Sequence, residues 1–219
     1  MKHFFKISIL PIIFLFALHG LVEVAHSQIT YIPDVESRLW IEGRSNINEF
    51  ECQANQYFGE ATLFDSDDQV EFLQDDQERV FLQVEIKVDG FECGRSRMNR
   101  DLQEALKSSE FPEITFLFDS AEIQGMPSAN DQAFELEVRG SLTVAGNTRD
   151  IRFNTRAYFL EAHKVRAIGK TTIKMSDFDV VPPTALMGLI KANDELTVNF
   201  DLIASETDAI CQLCPSFMR

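Results

Sequence analysis

Phe134-Glu135-Leu136-Glu137-Val138-Arg139-Gly140-Ser141-Leu142-Thr143-Val144 decides the fold of this 219-residue chain. Apolar and polar side chains alternate along all of it, the pattern of a strand with one buried face. Ala145-Gly146-Asn147-Thr148 then supplies a tight turn, and the same rhythm resumes in Ile151, Phe153, Thr155, Ala157 and Phe159. Two long strands joined by so short a turn pair antiparallel.

Working outward, the period of two returns in Val80, Leu82, Val84, Ile86 and Val88, and again in Leu196, Val198, Phe200, Leu202 and Ala204. Shorter candidates are 39–43, 50–54, 61–64, 114–118 and 165–175, for about eight or nine strands in all. Glu161 to Lys164 reads as another hairpin turn. A helix is expected where Met98, Leu102, Ala105 and Leu106 share one face, with Pro112 blocking its continuation. Val181-Pro182-Pro183 through Lys191 is irregular and has room for one helical turn. The expected fold is therefore all-β, an antiparallel meander with one or two short helices. Strands of about 11 residues favour closure into a barrel over a small sandwich. The 19 Phe, against one Trp and three Tyr, would fill a narrow barrel or line an apolar cavity, and alternation alone does not choose between these.

Residues 1–27 stand apart. Lys2 and Lys6 precede an apolar run from Ile7 to Leu18, and Ala25-His26-Ser27 ends in small residues at the −3 and −1 positions. This is the pattern of a secretory signal peptide cut after Ser27. The expected organisation is a signal peptide at 1–27, one domain at 28–205 and a tail at 206–219. A soluble protein without a stable membrane anchor is implied, since no later stretch approaches the ~20 apolar residues of a span. Lys2, Lys6 and Glu23 leave with the signal and take the formal charge from −15 to −16. Such a polyanion is repelled by nucleic acid and by anionic bilayer surfaces. His3, His19 and His26 leave as well, so only His163 remains, which argues against His-based catalysis and His-rich metal sites. His163 sits in an expected turn, a poor place for a catalytic base, and no enzyme activity, metal or cofactor is expected.

Four cysteines, Cys52, Cys93, Cys211 and Cys214, remain in a chain sent to an oxidising compartment, where disulfides are the default. Cys52 with Cys93 is the expected pair, because Cys211-Gln212-Leu213-Cys214 can satisfy itself locally. Asp65-Ser66-Asp67-Asp68-Gln69 opens like a calcium loop, but Val70 stands where glycine is needed and an acidic turn is expected.

Five segments, taken in order, resemble the YceI-like family of lipid- or polyisoprenoid-binding proteins. They are Ser37-Arg38-Leu39-Trp40-Ile41-Glu42-Gly43-Arg44-Ser45-Asn46; Met98-Asn99-Arg100-Asp101-Leu102 with Ala105-Leu106-Lys107; Phe111-Pro112-Glu113-Ile114-Thr115-Phe116; Gly140 through Thr148; and Met175-Ser176-Asp177-Phe178. The resemblance implies an extended, lipocalin-like antiparallel barrel of about eight strands with a helix near one end. It also implies a periplasmic or secreted carrier without catalytic residues, holding an isoprenoid or fatty amphiphile. The chain departs from many members in lacking the early His, with Ser45-Asn46 in that region, and in carrying a Cys-bearing tail. The inward faces then nominate Leu82, Val84, Phe116, Phe118, Leu142, Phe153, Phe159, Ile173, Val198 and Phe200 as cavity lining. Arg95, Arg97 and Arg100, read as lying ahead of the helix, are the candidate contacts for an anionic head group. Pro182 to Met187 reads as a lid or as packing at a barrel end. Two other readings fit the same residues: a filled barrel that binds a protein partner, and an accessory to quinone-linked electron transfer.

Overall fold

The computed structural model describes residues 28–64, 80–129, 131–160, 163–185 and 187–207. The expected signal peptide, the acidic turn at Asp65 and the Cys211/Cys214 tail lie outside the described residues. Among the described residues there are twelve strands: β1 (Gln28–Pro33), β2 (Arg38–Ser45), β3 (Glu49–Ala54), β4 (Tyr57–Phe64), β5 (Val80–Lys87), β6 (Phe91–Glu92), β7 (Glu113–Gly125), β8 (Phe134–Val144), β9 (Asn147–Phe159), β10 (Lys164–Lys174), β11 (Thr184–Ala185) and β12 (Ile190–Thr207). One α-helix, α1, spans Ser96–Ala105.

The order β1-β4-β5-β7-β8-β9-β10-β12, with β12 pairing back onto β1, closes an eight-stranded barrel. Every pairing is antiparallel and the ring of pairings closes, with β9 and β10 joined only over 155–159 and 165–169 and β5 and β7 only over 83–87 and 113–117. The β8–β9 turn has the expected form: Ala145 at φ 48° and Gly146 at φ 79° both occupy the left-handed region, as a type I′ hairpin requires. Register follows the alternation, with Leu136 opposite Thr155, Val138 opposite Phe153 and Gly140 opposite Ile151.

Three neighbouring staves bend at the same level, toward the helix. The first breaks at 34–37 between β1 and β2, where Ser37 Oγ donates to the Ile203 carbonyl at 2.8 Å and accepts from Ile203 N–H at 2.9 Å. The second breaks between β3 and β4, where Asn55 N–H donates to the Gly90 carbonyl. The third turns through a 3₁₀ turn at Val88–Gly90, whose Val88 N–H donates to the Pro112 carbonyl. Beyond the bends β2, β3 and β6 continue as a flap paired to β12. The third stave thereby leaves β7, and α1 packs beside the opening. Leu102 and Leu106 are buried in one cluster with Val88 and Phe91.

A disulfide joins Cys52 to Cys93, across Cα atoms 4.0 Å apart, and ties the flap to the segment leading into α1. The helix ends earlier than Pro112 would dictate. Lys107 adopts φ 54°, Ser108 N–H donates to Gln103 and Lys107 N–H to Glu104, which is a Schellman cap with lysine in the left-handed position. The Arg residues are also placed differently from the expectation. Arg95 caps the helix N-terminus without a side-chain bond, while Arg97 and Arg100 lie within its first turns, because the helix begins at Ser96.

Candidate functional site

Alternation points one face of each stave into the barrel, and the burial of those inward residues divides the interior into zones. At the helix end Val88, Phe178, Val180, Cys52, Phe91 and Met175 are all 5% exposed or less. On the other side of the barrel's middle, Phe134, Leu136 and Val138 form a second buried cluster on β8. Phe116 packs against both clusters. Between them stands a ladder of rings: Phe116 to Phe153 at 5.7 Å, and Phe153 to Phe200 at 5.6 Å in an edge-to-face arrangement.

The ladder is seated on glycine. A Cβ on Gly169 would lie 2.4 Å from Phe200 Cζ, and one on Gly140 would lie 2.6 Å from the Phe116 ring. Bare backbone opposite each ring lets the aromatic side chain lie flat along the wall instead of crossing the interior. Phe116, Phe118, Phe153, Phe200, Leu82, Val84, Ile173 and Val198 are all half-buried, although they face into a closed barrel. An inward side chain keeps accessible surface where its neighbours or a break in the wall's pairing leave it uncovered, and this middle zone is less covered than the helix end.

Eight of the ten nominated lining residues are thus half-buried on inward faces, and Leu142 belongs to the packed helix end at 8% exposure. Phe159 stands at the margin, 39% exposed, with its ring edge-on to Phe134 at 5.5 Å. The far end also carries polar groups. Tyr31 is the cross-strand partner of Glu206, and its hydroxyl pKa is pushed up first by burial and then by the Glu206 charge. Glu206 in turn bonds the ring of His163, which occupies the β9–β10 turn at φ 72°.

The sequence reading missed a second feature. An apolar cavity of about 110 Å³ enters the helix end between the β2–β3 hairpin, α1 and the stretch 183–192. Ile41, Phe50, Met98, Leu102, Met175 and Leu196 line it, with the exposed Asn48 and Thr184 at its rim. Leu196 pairs with Ile173 and lies two residues from Val198 along β12, so this one lining side chain borders both the cavity and the middle zone. Pro182 to Met187 had signalled something near this end, but the hairpin opposite it had not. A wider groove of about 400 Å³ is lined by the charged Asp119, Arg139, Asp150 and Arg152 together with Ser141 and Ile151.

The three Arg residues are exposed on or beside α1, and Arg97 lies 3.8 Å from Asp101. The loop ahead of the helix is held by Glu92, whose carboxylate accepts from Gly94 N–H and from Asn99 Nδ2, both at 2.8 Å. Among the described residues no cluster of three or more His, Cys, Asp or Glu could hold a metal ion. No helix among them is long and apolar enough to cross a membrane.

A family model described as a YceI-like domain matches residues 22–204. Similar solved structures include BcnA of Burkholderia cenocepacia, at 17% identity and a TM-score of 0.60, covering 79% of this chain and 99% of that one. A polyisoprenoid-binding domain from Saccharophagus degradans, implicated in plant cell wall breakdown, matches at 12% identity and 0.59, covering 81% and 98%. The YCEI protein of Campylobacter jejuni matches at 21% and 0.55, covering 72% and 85%. At these identities the structural likeness establishes the fold. No curated protein matches.

Proposed function

We propose a function from one premise: the chain belongs to the family of YceI-like domains. The barrel is a non-enzymatic carrier, exported to the periplasm or the extracellular space, that holds an isoprenoid or another long-chain amphiphile in its interior. The observation that carries this reading is the half-buried Phe116–Phe153–Phe200 ladder between two tightly buried clusters. Half-open aromatic walls suit a flexible apolar chain, which needs area and no directional bonds. A chain burying several hundred square ångströms at roughly 25 cal/mol/Å² is retained without any charged contact. Leu82, Val84, Phe116, Phe118, Phe153, Ile173, Val198 and Phe200 form the proposed wall, with Leu142 and Phe159 at its two margins.

The polyisoprenoid-binding domain of similar fold supports the ligand class. The Cys52–Cys93 disulfide supports export, since such bonds persist in oxidising compartments. Mass spectrometry of the gently desolvated protein, followed by solvent extraction, tests the proposal. The expected result is a mass excess removed by extraction and identified as a long-chain amphiphile. A protein that reproducibly carries its sequence mass alone, and takes up none when offered, overturns it.

The second reading, a barrel that binds a protein partner through its outer wall, draws on Phe58 at 63% and Phe81 at 48% exposure. These outward rings stand beside Glu85 and Thr62 on neighbouring strands, too scattered to make one patch.

A further inference from the structure

The proposed carrier raises a physical problem at its mouth. A long apolar chain partitions out of water by about fourfold per methylene, so it does not cross free solvent at a useful rate. Its donor or acceptor must touch the protein where the cavity opens.

The exposed apolar side chains nearest that opening sit on two loop tips. Ile47 is the tip of the β2–β3 hairpin and is 64% exposed; Met187 and Leu189, across from it, are 105% and 74% exposed. The tips are joined rigidly. Asn46 Nδ2 donates to the Leu189 carbonyl at 2.9 Å, Lys191 N–H donates to Asn46 Oδ1 at 3.0 Å, and Asn46 N–H donates to the Lys191 carbonyl at 3.1 Å. Ser45, Asn48, Thr184 and Ile190 flank these tips and line the apolar cavity. Three large apolar groups held outward by a bonded frame beside an apolar opening are an arrangement that water opposes.

We propose that these tips insert into the surface of a phospholipid bilayer and set the helix-end cavity against it for transfer of the chain, an inference that rests on the carrier reading. A bilayer fits better than a protein. Three tip side chains cannot supply the ~800 Å² that a stable interface takes from each partner, whereas insertion needs only that the tips pass the head groups. The local charge is also balanced, unlike the protein's formal −15. Arg44 pairs with Glu49 at 2.7 Å and Arg97 approaches Asp101, while Lys191 adds a cation beside Leu189. Attachment is therefore driven by apolar insertion, and screening by salt has little effect on it.

Flotation of delipidated protein with vesicles of the zwitterionic lipids phosphatidylcholine and phosphatidylethanolamine tests this. The parent floats with the vesicles at low and at high salt, and Met187→Asp/Leu189→Asp lowers the bound fraction about tenfold or more while melting at the parent temperature. The double variant, purified from its exporting host, still carries amphiphile. A parent that stays with the solvent, or a variant that floats equally well, overturns the proposal. So does a parent that self-associates on gel filtration through these residues without binding vesicles, because the tips then serve a second copy. Flotation by a parent found to carry no amphiphile leaves the docking surface standing and removes the carrier reading.

Discussion

The helix end and the middle of this barrel are made from the same kinds of residue in the same alternation, yet they are finished differently. At the helix end three staves bend together, α1 packs against the bend, and a disulfide fastens the flap, leaving Cys52 and Val88 only 1% exposed. In the middle the rings of Phe116 and Phe200 lie close over Gly140 and Gly169, and the inward side chains are only half-buried. In the proposed carrier the end supplies stability, and the middle supplies room. A period of two says which side chains face inward; only the tertiary structure says whether they meet.

That division can be broken in several ways. The largest effect is expected from the disulfide. Replacing Cys52 and Cys93 by Ala frees a loop of 41 residues and should cost about 4 kcal/mol by chain entropy, read as a drop in the urea midpoint. A loss under about 1 kcal/mol would mean that the flap holds without its staple. Next comes Leu102→Ala on the buried face of α1. A cavity in the packed end should cost about 2–4 kcal/mol in the same measurement.

Phe118→Leu in the middle sharpens the contrast. Its ring is half-buried and packs on one side against the Phe134, Leu136 and Val138 cluster, so the loss should be about 1 kcal/mol. Equal losses for Phe118→Leu and Leu102→Ala would mean that the two zones are packed alike.

The smallest effect belongs to the outer wall. Arg166 bonds both oxygens of Asp201, at 2.8 and 2.7 Å, and this holds the Asp201 carboxyl below the usual carboxylate range. A lowered folded pKa means the contribution is present above the unfolded value of about 3.9 and is lost as pH falls through the folded value. Asp201→Asn should reduce stability at neutral pH by about 1 kcal/mol or less and flatten the acid limb below about pH 4. An unchanged acid limb in a pH series of thermal melts would remove Asp201 from the account.

Much of the wall was legible in the chain. Ala145-Gly146 announced its turn because two successive residues must adopt positive φ there, and the long runs around it fixed the register. The bends were hidden. Val88 continues the alternation of β5 yet begins a 3₁₀ turn, because its N–H is claimed by Pro112, far along the chain. The end of α1 was bounded in the sequence only by Pro112, because Lys107 gives no hint that it will take the left-handed position glycine prefers. The inward set from Leu82 to Phe200 was readable as a face. The cavity beside α1 was not, since it is assembled from the β2–β3 hairpin and the segment ending at Ala192, which share no local pattern.

The measurement closest to the central claim replaces Phe153, the middle ring of the ladder, by Trp and follows two quantities in the same preparations: amphiphile content by extraction, and the melting temperature after delipidation. A chamber with room takes the larger ring in the space the chain vacates. The account predicts that Phe153→Trp carries far less amphiphile than the parent, while its delipidated form melts within a few degrees of it. A parent without amphiphile, together with a variant destabilised on the order of 1–3 kcal/mol by overpacking, would show a solid barrel and contradict the account.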